Sequence, residues 1–231
     1  MRKICLLALF LITSIFTFSL EESNYIVYNV DFKRENVKFY WLNNDGIPFE
    51  KIDNLLKLNP NKFKFIMNGG IYNDDFTPEG LYIENGKEFT PINLNDGAGN
   101  FYEKPNGVFY FYKNKPFIVT SEKFKSNSKI NYALQSGPML ITNGELNPSF
   151  TDKSTSKFIR NGVCLTKNNS LIFIVSRNPV TLYEFSAYAK STQNCYNFLY
   201  MDGSLSRAYK YNEMNAPQKK PFVTMIAVEI K

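Results

Sequence analysis

Short apolar runs separated by turn-forming residues are the feature that most constrains how this 231-residue chain can fold. The runs span four to nine residues, are rich in β-branched and aromatic side chains, and are bounded by Asn, Gly or Pro. Tight turns such as Asn43–Gly46 and Asn143–Gly144 favour antiparallel hairpins. The pattern predicts strands at Tyr25–Phe32, Val37–Leu42, Phe63–Met67, Leu81–Glu84, Val108–Tyr112, Phe117–Thr120, Tyr132–Gln135, Met139–Thr142, Gly162–Thr166, Leu171–Ser176, Phe198–Met201 and Phe222–Ile230.

Two segments have helical spacing instead. Pro48–Leu58 begins with a proline, which suits the first turn of a helix, and its apolar residues fall largely on one face. Pro179–Thr192 carries apolar residues at helical spacing, with Thr181 as a candidate N-cap. Since there is no internal repeat or long linker, residues 20–231 are predicted to form a single α+β domain with a mixed, largely antiparallel sheet and a few helices.

The first nineteen residues have the composition of a secretory signal peptide. A basic start at Met1–Lys3 precedes an apolar run, and Thr17 and Ser19 are the small residues that a cut after Ser19 requires. The run is shorter than the ~20 residues that cross a bilayer, which favours cleavage over an uncleaved anchor. We therefore expect an exported protein, periplasmic or extracellular, without stable membrane insertion of the mature chain.

Charge and residue types limit the kinds of partner and chemistry. Loss of Arg2 and Lys3 would take the formal net charge from +6 to +4, which is compatible with an anionic ligand. No basic run is interleaved with aromatic residues, so a nucleic-acid partner is not expected. The chain contains no histidine, which excludes Ser-His-Asp triads and His-ligated zinc. Any catalysis must therefore use other groups, and no metal or cofactor is predicted.

Two cysteines remain after removal of the signal peptide, and their state is left open by the sequence. In an oxidising compartment Cys164 and Cys195 could form a disulfide that closes a loop of moderate length. Two buried thiols are an equally good interpretation, because free cysteine is among the most buried residue types.

Four glycine-containing loops follow or adjoin predicted strands, and each carries a polar side chain of defined chemistry. Glycine lets backbone N–H groups approach a ligand closely. A carboxylate, a guanidinium and side-chain amides together suit an anionic sugar derivative. Each loop taken singly could also be an ordinary tight turn. The loops are Asn68–Tyr72, Gln135–Pro138, Arg160–Val163 and Asp202–Ser206.

The order of these loops, together with Leu182–Phe185 and Tyr200–Met201, resembles the phosphodiester glycosidase family. The resemblance runs from about Phe63 to about Tyr209. It implies cleavage of a sugar 1-phosphodiester into free sugar and phosphomonoester. The family's last loop often reads Asp-Gly-Gly-x-Ser, whereas this chain has Ser204 at the second glycine. That difference keeps a non-catalytic glycan- or phosphosugar-binding protein as the alternative to an exported hydrolase of envelope or extracellular glycans.

The resemblance also implies roles for individual residues. Asp202 would activate water or stabilise an oxocarbenium-like state, and Arg160 would stabilise the departing phosphate. Glu184 is a second candidate catalytic acid, or else a buried structural one. Side-chain amides, hydroxyls and loop backbone would bind the substrate. The candidate substrate-binding residues are Asn68, Gly69, Gly70, Gln135, Ser136, Gly137, Asn161, Gly203 and Ser206.

Overall fold

A computed structural model describes residues 24–202, 205–211 and 213–231, so the predicted signal peptide lies outside the described residues. This part of the chain contains sixteen strands in three sheets, and every strand pairing in them is antiparallel. It contains two α-helices, of five and ten residues. The fold is therefore mostly β, which corrects the expectation of an α+β domain with one mixed sheet.

Sheet A has six strands, and the predicted site residues Asn161 and Asp202 lie on it. In spatial order its strands are β1 (Tyr25–Asn29), β12 (Leu171–Ser176), β11 (Asn161–Thr166), β13 (Cys195–Asp202), β9 (Met139–Thr142) and β10 (Glu145–Leu146). β12 is buried on both faces, since Phe173 and Val175 face the central core while Ile172 and Ile174 face the opposite side.

Sheets B and C have five strands each. Sheet B runs β15 (Glu213–Met214), β14 (Ala208–Lys210), β3 (Phe63–Asn68), β16 (Met225–Ile230) and β2 (Glu35–Tyr40). Sheet C runs β5 (Lys87–Thr90), β4 (Tyr82–Glu84), β8 (Ile130–Ser136), β6 (Gly107–Tyr112) and β7 (Lys115–Thr120).

One aromatic core joins the three sheets. Phe173 of sheet A stacks on Phe65 of sheet B, with ring centroids 5.5 Å apart. It also lies 6.3 Å from Phe109 of sheet C, edge to face. Phe39 of sheet B meets the same Phe109 at 5.5 Å. Because these rings are buried, the inner faces of all three sheets pack against one another.

Each helix covers the outer face of one sheet. α1 (Ile52–Leu56) packs Ile52 and Leu55 on sheet B. It is shorter than the predicted Pro48–Leu58, because Pro48 forms a β-bridge and Phe49 N–H donates to Trp41 O, which keeps this end extended. α2 (Leu182–Ser191) packs on sheet A and begins at the predicted N-cap. None of the helices in the described residues has the length and apolar character needed to cross a membrane.

Cys164 and Cys195 form a disulfide between the neighbouring strands β11 and β13. The two residues are 31 positions apart, with Cα atoms separated by 5.5 Å. On the loop-entropy view a bond that closes a loop of this length stabilises the fold by about 3–4 kcal/mol. The structure thus favours the first of the two interpretations that the sequence left open.

Glu229 on β16 is a buried carboxylate held by three donors. It is 1% exposed and accepts a hydrogen bond from the Tyr40 hydroxyl. Its second oxygen lies 3.2 Å from Lys38 Nζ and 2.9 Å from Lys62 Nζ. Burial alone would raise the pKa of Glu229, but the bonds from Tyr40, Lys62 and Lys38 outweigh it and lower that pKa.

Glu229→Gln is expected to lower the free energy of unfolding at pH 7 by about 2 kcal/mol, because the buried ion pairs are lost. A depressed folded-state pKa contributes stability that is complete above the unfolded pKa of about 4.3 and is lost as pH falls through the folded value. The difference between the two proteins should therefore shrink in acid. Urea unfolding at pH 7 and at about pH 3 measures it.

The matched control for this experiment is Glu145→Gln. The Glu145 side chain is 86% exposed, and its ion pair with Lys190 Nζ is long, at 3.9 Å. Removing the charge of Glu145 should therefore hardly change stability at either pH. An equal destabilisation by Glu229→Gln at both pH values would contradict the ion-pair assignment and indicate a packing effect.

Candidate functional site

Asn161 ties together the strand ends that carry the predicted site. It is buried at the start of β11, and its Nδ2 donates to Asn68 O at 2.8 Å. Its Oδ1 accepts from Asp202 N–H at 3.0 Å and from Ser206 Oγ at 3.1 Å. Sheets A and B thus meet at this side chain, and the ends of β3, β11 and β13 are brought together.

Asn68, Ser206 and Ser136 complete this frame through backbone contacts. Asn68 Oδ1 accepts from Arg207 N–H at 3.0 Å. Ser206 Oγ donates to Asp202 O at 2.5 Å. Ser136 Oγ donates to Met201 O at 2.9 Å, which attaches β8 of sheet C to β13. The structure therefore brings residues of all four predicted loops together, and these polar side chains hold the backbone on both sides of Asp202.

Three of the predicted glycines are closely packed. A Cβ atom on Gly69 would lie 2.2 Å from Thr224 Oγ1, and its N–H already donates to Thr224 O. A Cβ atom on Gly137 would lie 2.7 Å from Asn106 Cβ. Gly70 is similarly crowded by Leu134, at 2.9 Å. These contacts give the glycines a packing role, and their contact with a ligand stays a prediction. Gly203, with Ser204, lies outside the described residues.

Gln135 holds a neighbouring loop, in contrast to the expectation that it binds substrate. Its Oε1 accepts from Leu81 N–H at 3.0 Å and from Asn93 N–H at 2.8 Å. Its Nε2 donates to Asn93 O at 2.6 Å and to Ser121 Oγ at 3.0 Å. The side chain is 1% exposed. All four hydrogen-bonding positions of the amide are therefore used within the protein.

Arg160 is a buried cation held by neutral acceptors. The residue is 2% exposed, and its guanidinium donates to Val180 O, Tyr200 Oη and Ser156 O at 2.8, 2.8 and 2.9 Å. The rings of Phe158 and Tyr200 each lie 5.4 Å from its Cζ. Within residues 24–202, 205–211 and 213–231, no carboxylate forms a salt bridge with it. Its charge is thus uncompensated by a close acid in this part of the chain.

Tyr200 contacts Arg160 and lies within the electrostatic field of Asp202. The side chain of Asn100, at the start of the short 3₁₀ helix Asn100–Tyr102, also acts on the Tyr200 hydroxyl. Burial raises the pKa of Tyr200, the Arg160 charge opposes this, and the Asp202 charge adds to it. Arg160, Tyr200, Asn100 and Asp202 therefore lie in one electrostatic neighbourhood, in which Tyr200 stays protonated.

Asp202 is the last residue of β13 and is 9% exposed. Its charge also acts on Tyr72, whose pKa is raised first by burial and then by Asp202. The backbone of Asp202 is held through its N–H by Asn161 and through its carbonyl by Ser206. This arrangement positions a carboxylate beside two tyrosines at the meeting point of the strand ends.

Glu184 belongs to a different environment. Its backbone N–H donates to Thr181 Oγ1 at 3.0 Å, and its Oε2 accepts from Thr181 N–H at 2.7 Å, which forms a capping box. Its Oε1 lies 2.9 Å from Lys157 Nζ. The Thr181 hydrogen bond and then Lys157 lower the pKa of Glu184. The side chain is 42% exposed, so it is not the buried structural acid that was the alternative interpretation.

Glu184 also lines a surface cavity of about 410 Å³ together with Lys157, Tyr183, Tyr188 and Asn178. Its hydrogen bonds go to Thr181 and Lys157, whereas the contacts of Arg160 go to Val180, Ser156 and Tyr200. The polar contacts therefore assign Glu184 to the start of α2.

Four residues of the site were not selected from the sequence. Tyr72 and Tyr200 lie inside the motifs described above. The signal that could have identified them is their position, since Tyr72 is two residues after Gly70 and Tyr200 is two residues before Asp202. Arg207 follows Ser206 and donates to Ser206 O and Pro217 O, at 2.6 and 2.9 Å. Asn100 has no local signal, because only the tertiary fold brings its loop to Tyr200. Among the described residues, no group of three or more Cys, Asp or Glu side chains could hold a metal ion.

The fold and site define a mostly-β domain with an acid, Asp202, and a buried arginine, Arg160, at neighbouring strand ends. A family model described as phosphodiester glycosidase matches residues 61–229. The Escherichia coli K12 protein named "Uncharacterized protein YigE" is 40% identical over 206 residues, which cover 88% of this chain and 81% of that protein. The chain belongs to the phosphodiester glycosidase family.

Two solved structures share the fold. The catalytic domain of zebrafish N-acetylglucosamine-1-phosphodiester alpha-N-acetylglucosaminidase, auto-inhibited by its pro-peptide, has a TM-score of 0.62 at 14% identity and covers 89% of this chain and 82% of that chain. A hypothetical protein from Synechocystis has a TM-score of 0.55 at 10% identity, covering 90% of this chain and 59% of that chain.

Proposed function

We propose that this protein is an exported hydrolase that cleaves sugar 1-phosphodiester linkages in envelope or extracellular glycans. The observation that carries the proposal is the position of the Asp202 carboxylate and the buried, positively charged Arg160 at neighbouring strand ends, where Arg160 donates to the Tyr200 hydroxyl. A carboxylate for the sugar carbon and a cation for the departing phosphate are the two groups that this reaction needs.

The leaving group explains why histidine is dispensable. Ordinary glycoside hydrolysis needs a carboxylic acid to protonate an alkoxide as it leaves. A phosphomonoester has a second pKa of about 6 and leaves without that help. The remaining tasks are to activate water or stabilise positive charge at the sugar carbon, which Asp202 would do, and to stabilise negative charge on the phosphate.

Positive charge in the proposed site comes from two arginines in different environments. Arg160 is buried, so it acts through Tyr200 and through its field in a medium of low dielectric constant. Arg207 is partly exposed and adjoins the Asp202–Ser206 loop. We assign contact with the phosphate to Arg207 and the fixed background charge to Arg160.

Export is part of the proposal and is supported by two features. Residues 1–19 have the composition of a signal peptide. Cys164 and Cys195 form a disulfide, a bond that persists in oxidising compartments and is rare in the reducing cytosol.

Hydrolysis in ¹⁸O-labelled water tests the function and the bond that breaks. The purified protein is incubated with UDP-N-acetylglucosamine, with a methyl phosphodiester of N-acetylglucosamine 1-phosphate, and with the corresponding methyl glycoside. We expect the label in the sugar, because C1–O cleavage places the water oxygen on carbon, and little reaction with the methyl glycoside. Label in the phosphate would indicate a phosphodiesterase instead. Binding of the diesters without turnover would support the non-catalytic alternative.

A further inference from the structure

Phe76 is an exposed aromatic residue in a strained backbone conformation. It is 45% exposed, and its φ angle is +61°. Bulky side chains rarely adopt this left-handed region, where Asn and Gly are tolerated. An exposed phenylalanine gains little from burial, so neither packing nor backbone preference accounts for this residue at this position. Strain of this kind is concentrated at ligand-binding sites.

The loop that carries Phe76 is internally braced. Tyr72 and Pro78 form a β-bridge at its base. Asn73 N–H donates to Thr77 O at 2.9 Å, and Phe76 N–H donates to Asn73 O at 3.0 Å. Thr77 Oγ1 donates to Asp75 at 2.6 Å. These bonds fix the loop, so the ring is presented without a loss of loop entropy on binding.

Phe76 stacks on Tyr72, the last residue of the Asn68–Tyr72 loop. The two ring centroids are 5.7 Å apart with an interplanar angle of 23°. Tyr72 is half-buried, and its pKa is raised in part by the charge of Asp202. Asn68, at the start of this loop, accepts a hydrogen bond from Asn161, which also holds the backbone of Asp202, so the aromatic pair leads from the side of the candidate catalytic residue to the solvent.

We propose that Tyr72 and Phe76 form a platform on which the apolar face of the substrate's sugar ring packs, with its anomeric carbon towards Asp202. A pyranose presents C–H groups on one face and hydroxyls at its rim, which suits a rigid aromatic surface bordered by polar groups. The inference rests on the proposed function in taking Asp202 as the reacting end of the site. The aromatic platform supplies apolar contacts to the sugar ring, which the two arginines do not.

Substitutions at Phe76 can separate strain from binding. Phe76→Asn removes the ring but suits the left-handed backbone, and Phe76→Trp keeps an aromatic surface. Tyr211→Asn is the matched control, because Tyr211 is also an exposed aromatic residue, at 61% exposure and φ +49°, but contacts Tyr28. Calorimetric titrations use α-D-glucose 1-phosphate, N-acetyl-α-D-glucosamine 1-phosphate and inorganic phosphate, none of which is a diester substrate.

We expect Phe76→Asn to weaken binding of at least one sugar phosphate by about tenfold while binding of inorganic phosphate is unchanged. Its melting temperature should equal or exceed that of the wild type, because the strain is relieved. Phe76→Trp and Tyr211→Asn should each stay within about threefold of the wild type. The platform is overturned if Phe76→Asn leaves sugar-phosphate binding unchanged, if it weakens phosphate equally, or if the wild type binds neither sugar phosphate.

The two proposals can fail separately. If the diesters are not hydrolysed but Phe76→Asn selectively loses the sugar phosphates, the platform stands and the hydrolase does not. If hydrolysis occurs with the label in the sugar but Phe76→Asn binds normally, the hydrolase stands and the sugar is recognised elsewhere.

Discussion

Asp202→Asn is expected to lower kcat/KM for a sugar 1-phosphodiester by about a thousandfold, equivalent to about 4 kcal/mol of transition-state stabilisation. Asparagine has the same shape but cannot accept a proton or carry the negative charge that an oxocarbenium-like state requires. The backbone hydrogen bonds from Asn161 and Ser206 use the main chain of residue 202, so they survive the substitution. The melting temperature should therefore change little.

Initial rates over a pH series give the second readout of the same variant. The chain has no histidine, so an acid limb in the wild-type profile must come from a carboxylate or from the substrate phosphate. If Asp202 is the ionising group, the acid limb of the pH–rate profile disappears in Asp202→Asn. A limb that persists at the reduced rate would assign the ionisation to another carboxylate or to the phosphate.

Glu184→Gln tests whether Glu184, the second candidate catalytic acid beside Asp202, takes part in hydrolysis. Glutamine also completes a capping box, so the start of α2 is kept while the charge is removed. Because Glu184 is bonded to Thr181 and Lys157, we expect hydrolysis to stay within about threefold of the wild type. A loss comparable with that of Asp202→Asn would return Glu184 to the mechanism and contradict the assignment made from its contacts.

Local structure was largely predictable from the sequence because strands and turns are local signals. Each of the twelve predicted runs coincides with a strand, and Thr181 caps α2 as expected. The strands that were not predicted are only two to four residues long. Each of them pairs with a strand that adjoins it in sequence, and β14 also pairs with the distant β3. These strands are Lys87–Thr90, Glu145–Leu146, Ala208–Lys210 and Glu213–Met214.

The division into three sheets was not predictable in the same way. β3 pairs with β16, which is more than 150 residues away, and no local pattern specifies such a partner. An apolar run reports that a strand is buried but not which sheet it joins. The expectation of a single sheet was wrong for this reason. The helix predicted at Pro48–Leu58 is shortened by a local contact instead, the β-bridge between Pro48 and Leu42.

The site shows a similar limit at the level of side chains. The motifs located Asn68, Asn161, Asp202 and Ser206 in one place, because residues beside glycine at strand ends tend to converge where strands end together. They did not separate ligand-facing groups from supporting ones. Gln135 has the chemistry of a binding residue, yet its amide is saturated by Leu81, Asn93 and Ser121. Residue type indicates what a group can bind, whereas the available lone pairs depend on neighbours that are distant in sequence.

Arg160→Lys is expected to lower kcat/KM for the phosphodiester by about a hundredfold and to lower the free energy of unfolding by about 2 kcal/mol. Lysine keeps the charge but cannot donate to Val180 O, Ser156 O and Tyr200 Oη together, as the planar guanidinium does. Tyr200 would then lose its orientation, and buried carbonyls would lose their donor. Urea unfolding and initial rates, measured well below the melting temperature, report the two effects separately.

Tyr200→Phe shows how much of this loss comes from the hydroxyl alone. It removes one acceptor of Arg160 but leaves the guanidinium and its bonds to Val180 and Ser156, so the rate should fall by about tenfold. If Arg160 acts on the developing phosphate charge, both variants should lose more activity towards the phosphodiester than towards a methyl glycoside, whose leaving group is not a phosphate. Equal losses on the two substrates would mean that Arg160 merely supports the fold around Tyr200. In that case, stabilisation of the departing phosphate would fall to Arg207, whose guanidinium adjoins the same loop without being buried beneath it.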